Sequence, residues 1–143
     1  MALNPQQDVV IWLGHSVYYI QLAGKRILID PVLSDHAASF SLLVKAFKGS
    51  TLYKAEDIPE IDYLLIFHDH YDYLDYATVI QLKDKVKNVF VPLGIGSHFE
   101  YWDYPLAKIH ENDWFDTLRT ETGLWRTKMH YCTNLWQSDG IAT

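Results

Sequence analysis

The feature that most constrains the fold is an apolar segment that leads directly into a group of histidines and aspartates. Residues Leu64 to Phe67 are short and continuously apolar, which predicts a buried strand rather than one face of an amphipathic helix. His68, His70 and Asp72 follow at alternate positions. In an extended chain such side chains point to the same side, so two imidazoles and a carboxylate can converge on a divalent ion. The alternative is a polar loop that caps the strand.

This segment carries a resemblance to a known family. Residues 68 to 73, His-Asp-His-Tyr-Asp-Tyr, resemble the His-x-His-x-Asp-His motif of the metallo-β-lactamase fold superfamily. Four other segments are similar to the branch that contains N-acylphosphatidylethanolamine-hydrolysing phospholipase D, and they occur in that family's order. These segments are Trp12–Ser16, Ile27–Pro31, Ile58–Asp62 and Val91–Gly94. The resemblance spans about residues 8 to 124, whereas residues 125–143 diverge from it.

The resemblance implies an α+β fold. The complete family fold is an αββα sandwich of two halves, and 143 residues correspond to about one half of it. We therefore expect residues 1–143 to form one partial domain, with a mixed sheet and helices on one face. In the complete fold a second sheet covers the other face. Without that cover the face is expected to promote self-association, because uncovered apolar surface favours contact with another molecule.

The family's ligand pattern implies a zinc site with one or two ions. His68 and His70 are expected to hold the first ion. Asp72 is expected to act as a ligand and as the catalytic carboxylate, either by binding a second ion or by steering the attacking water.

Three further residues are expected beside these ligands. They are Asp30, Asp75 and His15, of which Asp30 is expected to brace the ligand loop through hydrogen bonds. Alternatives remain open for two of them. Asp30 also fits an Asp-Pro turn, and Asp75 also fits a helix cap. No substrate-binding residue is predicted.

Two departures from the family pattern bear on activity. Tyr73 stands where the family motif has its last histidine, and a phenol with a pKa near 10 is a poor zinc ligand at neutral pH. The family's Pro-x-x-His segment, which supplies a third ligand, has no counterpart after Gly123, and His130 is a weak substitute. The sequence thus predicts either a hydrolase of phosphodiesters or related lipid-like or small-molecule esters, or an inactive remnant that binds metal weakly.

Composition excludes several other classes. The net charge is −6 and no dense run of Lys or Arg occurs, so nucleic-acid binding is not expected. Cys132 is the single cysteine, which rules out an internal disulfide. The first residues do not read as a secretory signal, and no stretch reaches the length of a membrane span. These observations favour a cytoplasmic location.

Periodicity predicts the remaining elements. Strand, helix and strand around the ligand segment predict a βαβ unit, in which Val79 and Leu82 face the sheet. The predicted strands are Asp8–Leu13, Ser16–Leu22, Arg26–Ile29, Asn88–Val91 and Ala107–His110, and the predicted helices are Ser41–Lys48, Tyr76–Lys85 and Ser97–Trp102. Residues 92–97 are Gly-rich but lack the Lys-Ser/Thr pair of a phosphate-binding loop.

Overall fold

The architecture is a six-stranded mixed sheet with its strands in sequence order. The computed structural model describes residues 3–34, 52–67, 69, 74–113 and 116, and the backbone of 117–119 and 126–128. The sheet contains β1 Val9–Gly14, β2 Val17–Leu22, β3 Lys25–Ile29, β4 Ile61–Leu65, β5 Val86–Pro92 and β6 Ile109–Asn112. Two short strands, β7 Thr117–Arg119 and β8 Arg126–Lys128, form a separate antiparallel pair. The helices are α1 Tyr76–Leu82 and α2 Gly96–Tyr101, with 3-10 turns at Ala55–Asp57 and Leu106–Lys108.

Strand direction changes once across the sheet. Strands β1, β2 and β3 form an antiparallel meander, and β3 to β6 are all parallel. The predicted strand-helix-strand unit is confirmed, since α1 connects β4 to its parallel neighbour β5. All four parallel strands therefore end at the same edge of the sheet. The turn between β1 and β2 lies at that edge too, because β2 runs antiparallel to β3 and begins where β3 ends.

The core lies between the sheet and the two α-helices. One row of cross-strand partners runs through Tyr19, Leu28, Leu64 and Val89, all fully buried. Val79 and Leu82 of α1 and Phe99 of α2 belong to the same buried cluster. Both helices thus cover one face of the sheet, as predicted. On the opposite face, Phe90 packs with the partly buried Tyr63, Leu65 and Phe67 in a separate small cluster.

Several predicted boundaries are wrong by a few residues. The strand before the ligand segment begins at Ile61 rather than Leu64, because Ile61 and Tyr63 also pair with residues of β5. Helix α1 ends at Leu82 rather than Lys85, since residues 83–85 turn back towards β5. Residues Leu106–Lys108 form a 3-10 turn, so β6 begins at Ile109 and not at Ala107. The predicted helix Ser41–Lys48 lies outside the described residues. In the part of the chain that is described, no helix is long and apolar enough to cross a membrane.

Candidate metal centre

The candidate site lies at the edge of the sheet where the four parallel strands end. Asp30 directly follows β3, and Phe67 follows β4 by two residues. His15 occupies the β1–β2 turn at the same edge. Asp75 directly precedes α1, the helix that connects the end of β4 to the start of β5. The structure therefore brings to one edge the three residues that were expected beside the metal ligands.

Asp30 is joined to the end of β4 by two hydrogen bonds. Its backbone N–H donates to the Leu65 carbonyl at 3.0 Å, and its Oδ1 accepts from the Phe67 N–H at 2.8 Å. The backbone of Asp30 has a φ of 41°, a left-handed conformation that aspartate tolerates better than most residues. An ordinary Asp-Pro turn does not require these contacts. The carboxylate instead fixes the backbone of the residue immediately before His68.

Burial raises the pKa of the Asp30 carboxyl group. Asp30 is 4% exposed, and its desolvation raises the pKa to about 7, although the hydrogen bond from Phe67 acts in the opposite direction. In the described part of the chain it forms no salt bridge. A buried carboxylate without a cationic partner is costly when it is charged. A divalent ion, or an imidazole held by one, would offset that cost, so the chemistry of this edge fits a metal.

The predicted ligands themselves, His68, His70 and Asp72, lie outside the described residues, as does Tyr73. Between Phe67 and Leu74 the structure describes Asp69, which is exposed. Among the described residues no group of three or more His, Cys, Asp and Glu side chains could hold a metal ion. The described structure thus defines both ends of the ligand segment.

Asp75 anchors the far end of that segment. As the N-cap of α1 it accepts a hydrogen bond from the Ala77 N–H at 3.2 Å. Its Oδ2 accepts from the Thr78 hydroxyl at 2.5 Å and from the Ser34 N–H at 3.0 Å. The Thr78 oxygen in turn accepts from the Leu33 N–H at 3.0 Å. The helix-cap interpretation of Asp75 is therefore correct, and the same carboxylate also holds the segment that follows β3.

Thr78 is a residue that the sequence analysis missed. Its side chain is 1% exposed and links Asp75 to the backbone of Leu33. The signal that could have revealed it is the spacing Asp-x-x-Thr at the start of a helix, where the third helical position faces the cap. What the sequence could not show is the third partner, which lies more than forty residues earlier in the chain.

His15 is exposed, and its backbone makes a structural contact. Its φ is 47°, and its carbonyl accepts a hydrogen bond from the Trp12 indole Nε1 at 2.9 Å. The turn therefore fixes the orientation of the Trp12 ring.

Two backbone amides of the Gly-rich loop after β5 form hydrogen bonds within the chain. Glu111 Oε1 accepts from the N–H groups of Gly94 and Gly96, at 3.0 and 2.8 Å. Gly94 has a φ of 87°, which a residue with a Cβ rarely adopts. A Cβ on Gly96 would lie 2.6 Å from the same Glu111 oxygen. These amides are therefore engaged by a carboxylate of the chain itself.

Comparison with known proteins identifies the family. The protein-family model described as "Beta-lactamase superfamily domain" matches residues 25–131, which is most of the chain. The chain belongs to the β-lactamase superfamily. The resemblance drawn from residues 68 to 73 and from the four flanking segments is thereby confirmed, and so is the fold class for this part of the domain.

Three similar proteins illustrate the range within this superfamily. An uncharacterized protein of Mycobacterium tuberculosis is 37% identical over 106 residues, which are 73% of this chain and 28% of the relative. N-acyl-phosphatidylethanolamine-hydrolyzing phospholipase D 1 of Caenorhabditis elegans is 36% identical over 91 residues, 59% of this chain and 24% of the relative. The crystal structure of CmlA, a diiron beta-hydroxylase from Streptomyces venezuelae, superposes with a TM-score of 0.61 at 28% identity, covering 80% of this chain and 22% of CmlA.

This chain therefore spans about a quarter of the length of the curated relatives that it matches. By their names, the similar proteins include a hydrolase and a diiron beta-hydroxylase, so membership of the superfamily leaves the reaction and the metal open.

Proposed function

We propose that this chain carries the metal-binding part of a hydrolase that cleaves a phosphodiester or a related lipid-like or small-molecule ester. The observation that carries the proposal is the anchoring of both ends of residues 68 to 73. At the first end, the Asp30 carboxylate accepts a hydrogen bond from the Phe67 N–H. At the other end, Asp75 is the N-cap of α1. Two carboxylates thus hold the residues on either side of a short segment that contains two histidines and two aspartates. A polar surface loop does not need such anchors.

In this proposal His68 and His70 hold zinc, and Asp72 binds a second ion or orients the nucleophilic water. The ion would supply Lewis acidity, which lowers the pKa of a water from about 15.7 towards 7. Asp30 keeps the ligand segment in place and supplies a negative charge that favours a nearby cation. The C. elegans relative, by its name a hydrolase of a phospholipid, supports the ester class.

The test is metal uptake by the purified chain, followed by hydrolysis of a generic phosphodiester such as bis(p-nitrophenyl) phosphate. Calorimetric titration with zinc should show binding that His68→Ala and His70→Ala abolish. His98→Ala is the matched control, because His98 is an exposed histidine on α2 that stacks on Trp102 and lies outside the proposed ligand set. Zinc uptake that is unchanged in His68→Ala would refute the site.

A second function is favoured by Tyr73, which stands where the family motif has its last histidine. In that alternative the chain binds metal weakly and performs no chemistry. Zinc binding without hydrolysis would support it. Iron is the competing metal, since CmlA is a diiron enzyme and a phenolate is a better ligand for iron than for zinc. Titration with ferrous iron under anaerobic conditions distinguishes the two metals.

A further inference from the structure

A cleft with a volume of about 360 Å³ lies between α1, the segment that follows β3 and the 3-10 turn Ala55–Asp57. At about 30 Å³ per water molecule, this volume corresponds to roughly twelve waters. It falls in the lower part of the range that is typical of small-molecule sites in proteins. The cleft therefore suits a small molecule rather than a peptide.

The floor of the cleft is buried and held by hydrogen bonds. Leu33, Ala55 and Thr78 line it, and each is at most 5% exposed. The Leu33 N–H donates to the Thr78 hydroxyl oxygen, which joins the segment after β3 to α1. Lys85 Nζ donates to the carbonyls of Ala55 and Glu56, which holds the 3-10 turn in place. The shape of the cleft is thus fixed before a ligand binds, as in most small-molecule sites.

The upper walls of the cleft carry one positive and one negative side chain. Lys54 and Glu56 supply these charges, and both residues are exposed. In the part of the chain that is described, the salt bridge joins Lys87 to Asp62. Lys54 and Glu56 therefore pair neither with each other nor with another described residue. Both charges are available to a molecule in the cleft.

We propose that this cleft binds a small zwitterion of the free α-amino acid class. The carboxylate of the ligand pairs with the Lys54 ammonium, and its ammonium group pairs with the Glu56 carboxylate. A simple anion also meets the negative charge of Glu56, and a simple cation meets the positive charge of Lys54, so each loses part of its attraction to repulsion. A zwitterion avoids both repulsions. It is also neutral overall, so the net charge of −6 on the chain does not oppose its approach.

Gln81 selects among amino acids by the chemistry of its side chain. It is an exposed residue of α1 that lines the cleft, and its amide offers two donors and an acceptor oxygen. An amino acid with a polar side chain can use these groups, whereas an aliphatic one cannot. L-Glutamine, with an amide of its own, is therefore the probe.

The experiment is an NMR titration of the full, ¹⁵N-labelled chain with L-glutamine, without added metal, so the result does not depend on the proposed zinc site. The backbone amide signals of Ser34, Ala55 and Gln81 should shift together, because these residues line three parts of the cleft. The amide signal of Trp12 in β1 should stay in place. Since both charged groups are exposed to water, we expect a dissociation constant on the order of 1 mM.

Two analogues of the probe test the requirement for both charges. N-acetyl-L-glutamine lacks the ammonium group, and L-glutaminamide lacks the carboxylate. Each should bind at least about fivefold more weakly than L-glutamine, because each loses one charge-assisted contact and gains a repulsion.

Variants of the two charged residues test the assignment of the contacts. Lys54→Met and Glu56→Gln should each raise the dissociation constant for L-glutamine by at least about fivefold. The bond from Lys85 to the Glu56 backbone carbonyl is retained in Glu56→Gln. Lys87→Met and Glu100→Gln are the matched controls, since these exposed residues lie outside the cleft. They should leave the constant unchanged. Far-UV circular dichroism confirms that the variants fold.

Three outcomes would overturn the proposal. Signals of Ser34, Ala55 and Gln81 that do not move with L-glutamine remove the cleft as its site. N-acetyl-L-glutamine that binds as tightly as L-glutamine shows that the cleft takes an anion and not a zwitterion. An equal loss of affinity in Lys54→Met and Lys87→Met shows that binding depends on the overall charge of the chain rather than on this cleft.

Discussion

Asp30 Oδ1 lies 2.8 Å from the backbone nitrogen of Phe67 and accepts its hydrogen bond. The two residues are far apart in sequence but adjacent across β3 and β4, because the backbone N–H of Asp30 also donates to Leu65. This bond connects a buried titratable group to the residue that precedes the predicted ligands. Two properties of Asp30 can therefore be separated by mutation, namely the acceptor oxygen and the negative charge.

The first prediction concerns the charge of Asp30 in the metal-free protein. Its folded-state pKa is raised from 3.8 to about 7. The protonated form therefore stabilises the fold below pH 4, and this contribution is lost as pH rises through about 7. We expect the free energy of unfolding to fall by a few kcal/mol between about pH 4 and pH 8. Urea denaturation in the presence of a chelator measures it.

Asp30→Asn is the informative variant. The amide keeps an oxygen that can accept from Phe67 but cannot ionise, so its stability should change less over this pH range. Zinc affinity should fall by about 10- to 100-fold, because the charge that favours the cation is lost. Asp30→Ala, which also removes the acceptor, should be less stable than Asp30→Asn at pH 8. Equal pH dependence in the wild type and Asp30→Asn would show that another group titrates.

The second prediction concerns Thr78. Thr78→Val preserves the shape of the side chain but removes the hydroxyl that donates to Asp75 and accepts from Leu33. A buried N–H without an acceptor costs about 1–3 kcal/mol, and we expect a loss of unfolding free energy in that range. Ser97→Ala is the control, since Ser97 is exposed and its hydroxyl donates to the carbonyl of Gly94, three residues earlier. Its effect should stay below about 0.5 kcal/mol. A similar loss in both variants would contradict the importance of the buried link.

The sequence predicted those parts of the fold that depend on local pattern. The apolar run before His68 predicted a buried strand, and the spacing of Val79 and Leu82 predicted the buried face of α1. It did not predict the 3-10 turn at Leu106–Lys108, because a short turn and a strand end share the same polar and apolar residues. Such boundaries depend on which backbone groups find partners elsewhere in the fold.

Only part of the candidate site could likewise be predicted from the sequence. The chemistry of Asp30 and Asp75 followed from residue type and family resemblance, but their partners did not. The Phe67 and Ser34 backbone groups have no side-chain signature that marks them as donors to a distant carboxylate. Long-range contacts of this kind are decided by sheet register, which pattern analysis does not specify. The arrangement of His68, His70 and Asp72 remains a prediction.

The third prediction concerns Lys85, whose ammonium group donates to three backbone carbonyls. Its Nζ lies 3.0 Å from the oxygens of Ala55 and Glu56 and 2.9 Å from that of Ile58. Lys85→Met keeps the apolar stem and leaves these acceptors without their donor. We expect a loss of about 1.5–3 kcal/mol in unfolding free energy, as for hydrogen bonds from a charged group.

Lys87→Met is the matched control for this lysine. Lys87 is 59% exposed and pairs with Asp62 at 2.9 Å, and exposed ion pairs contribute about 0–1 kcal/mol. Chemical denaturation at low and high salt compares the two variants. The Lys87 effect should shrink at high salt, whereas most of the Lys85 effect should persist. If salt abolishes both effects, then Lys85 acts as a surface charge rather than as a hydrogen-bond donor.

The last prediction concerns Tyr73, which stands where the family motif has a histidine. A phenol with an ordinary pKa near 10 is protonated at pH 7, whereas an imidazole is largely neutral and binds zinc readily. Tyr73→His should therefore increase the number of zinc ions bound per chain, or tighten their binding by about tenfold or more.

Tyr73→Phe is the control and should match the wild type, because the phenol contributes no zinc ligand in this hypothesis. Inductively coupled plasma mass spectrometry after dialysis gives the stoichiometry. Metal content unchanged in Tyr73→His would contradict the prediction that Tyr73 limits zinc binding. Metal content lowered in Tyr73→Phe would mean instead that the phenolate is a ligand, which favours iron over zinc.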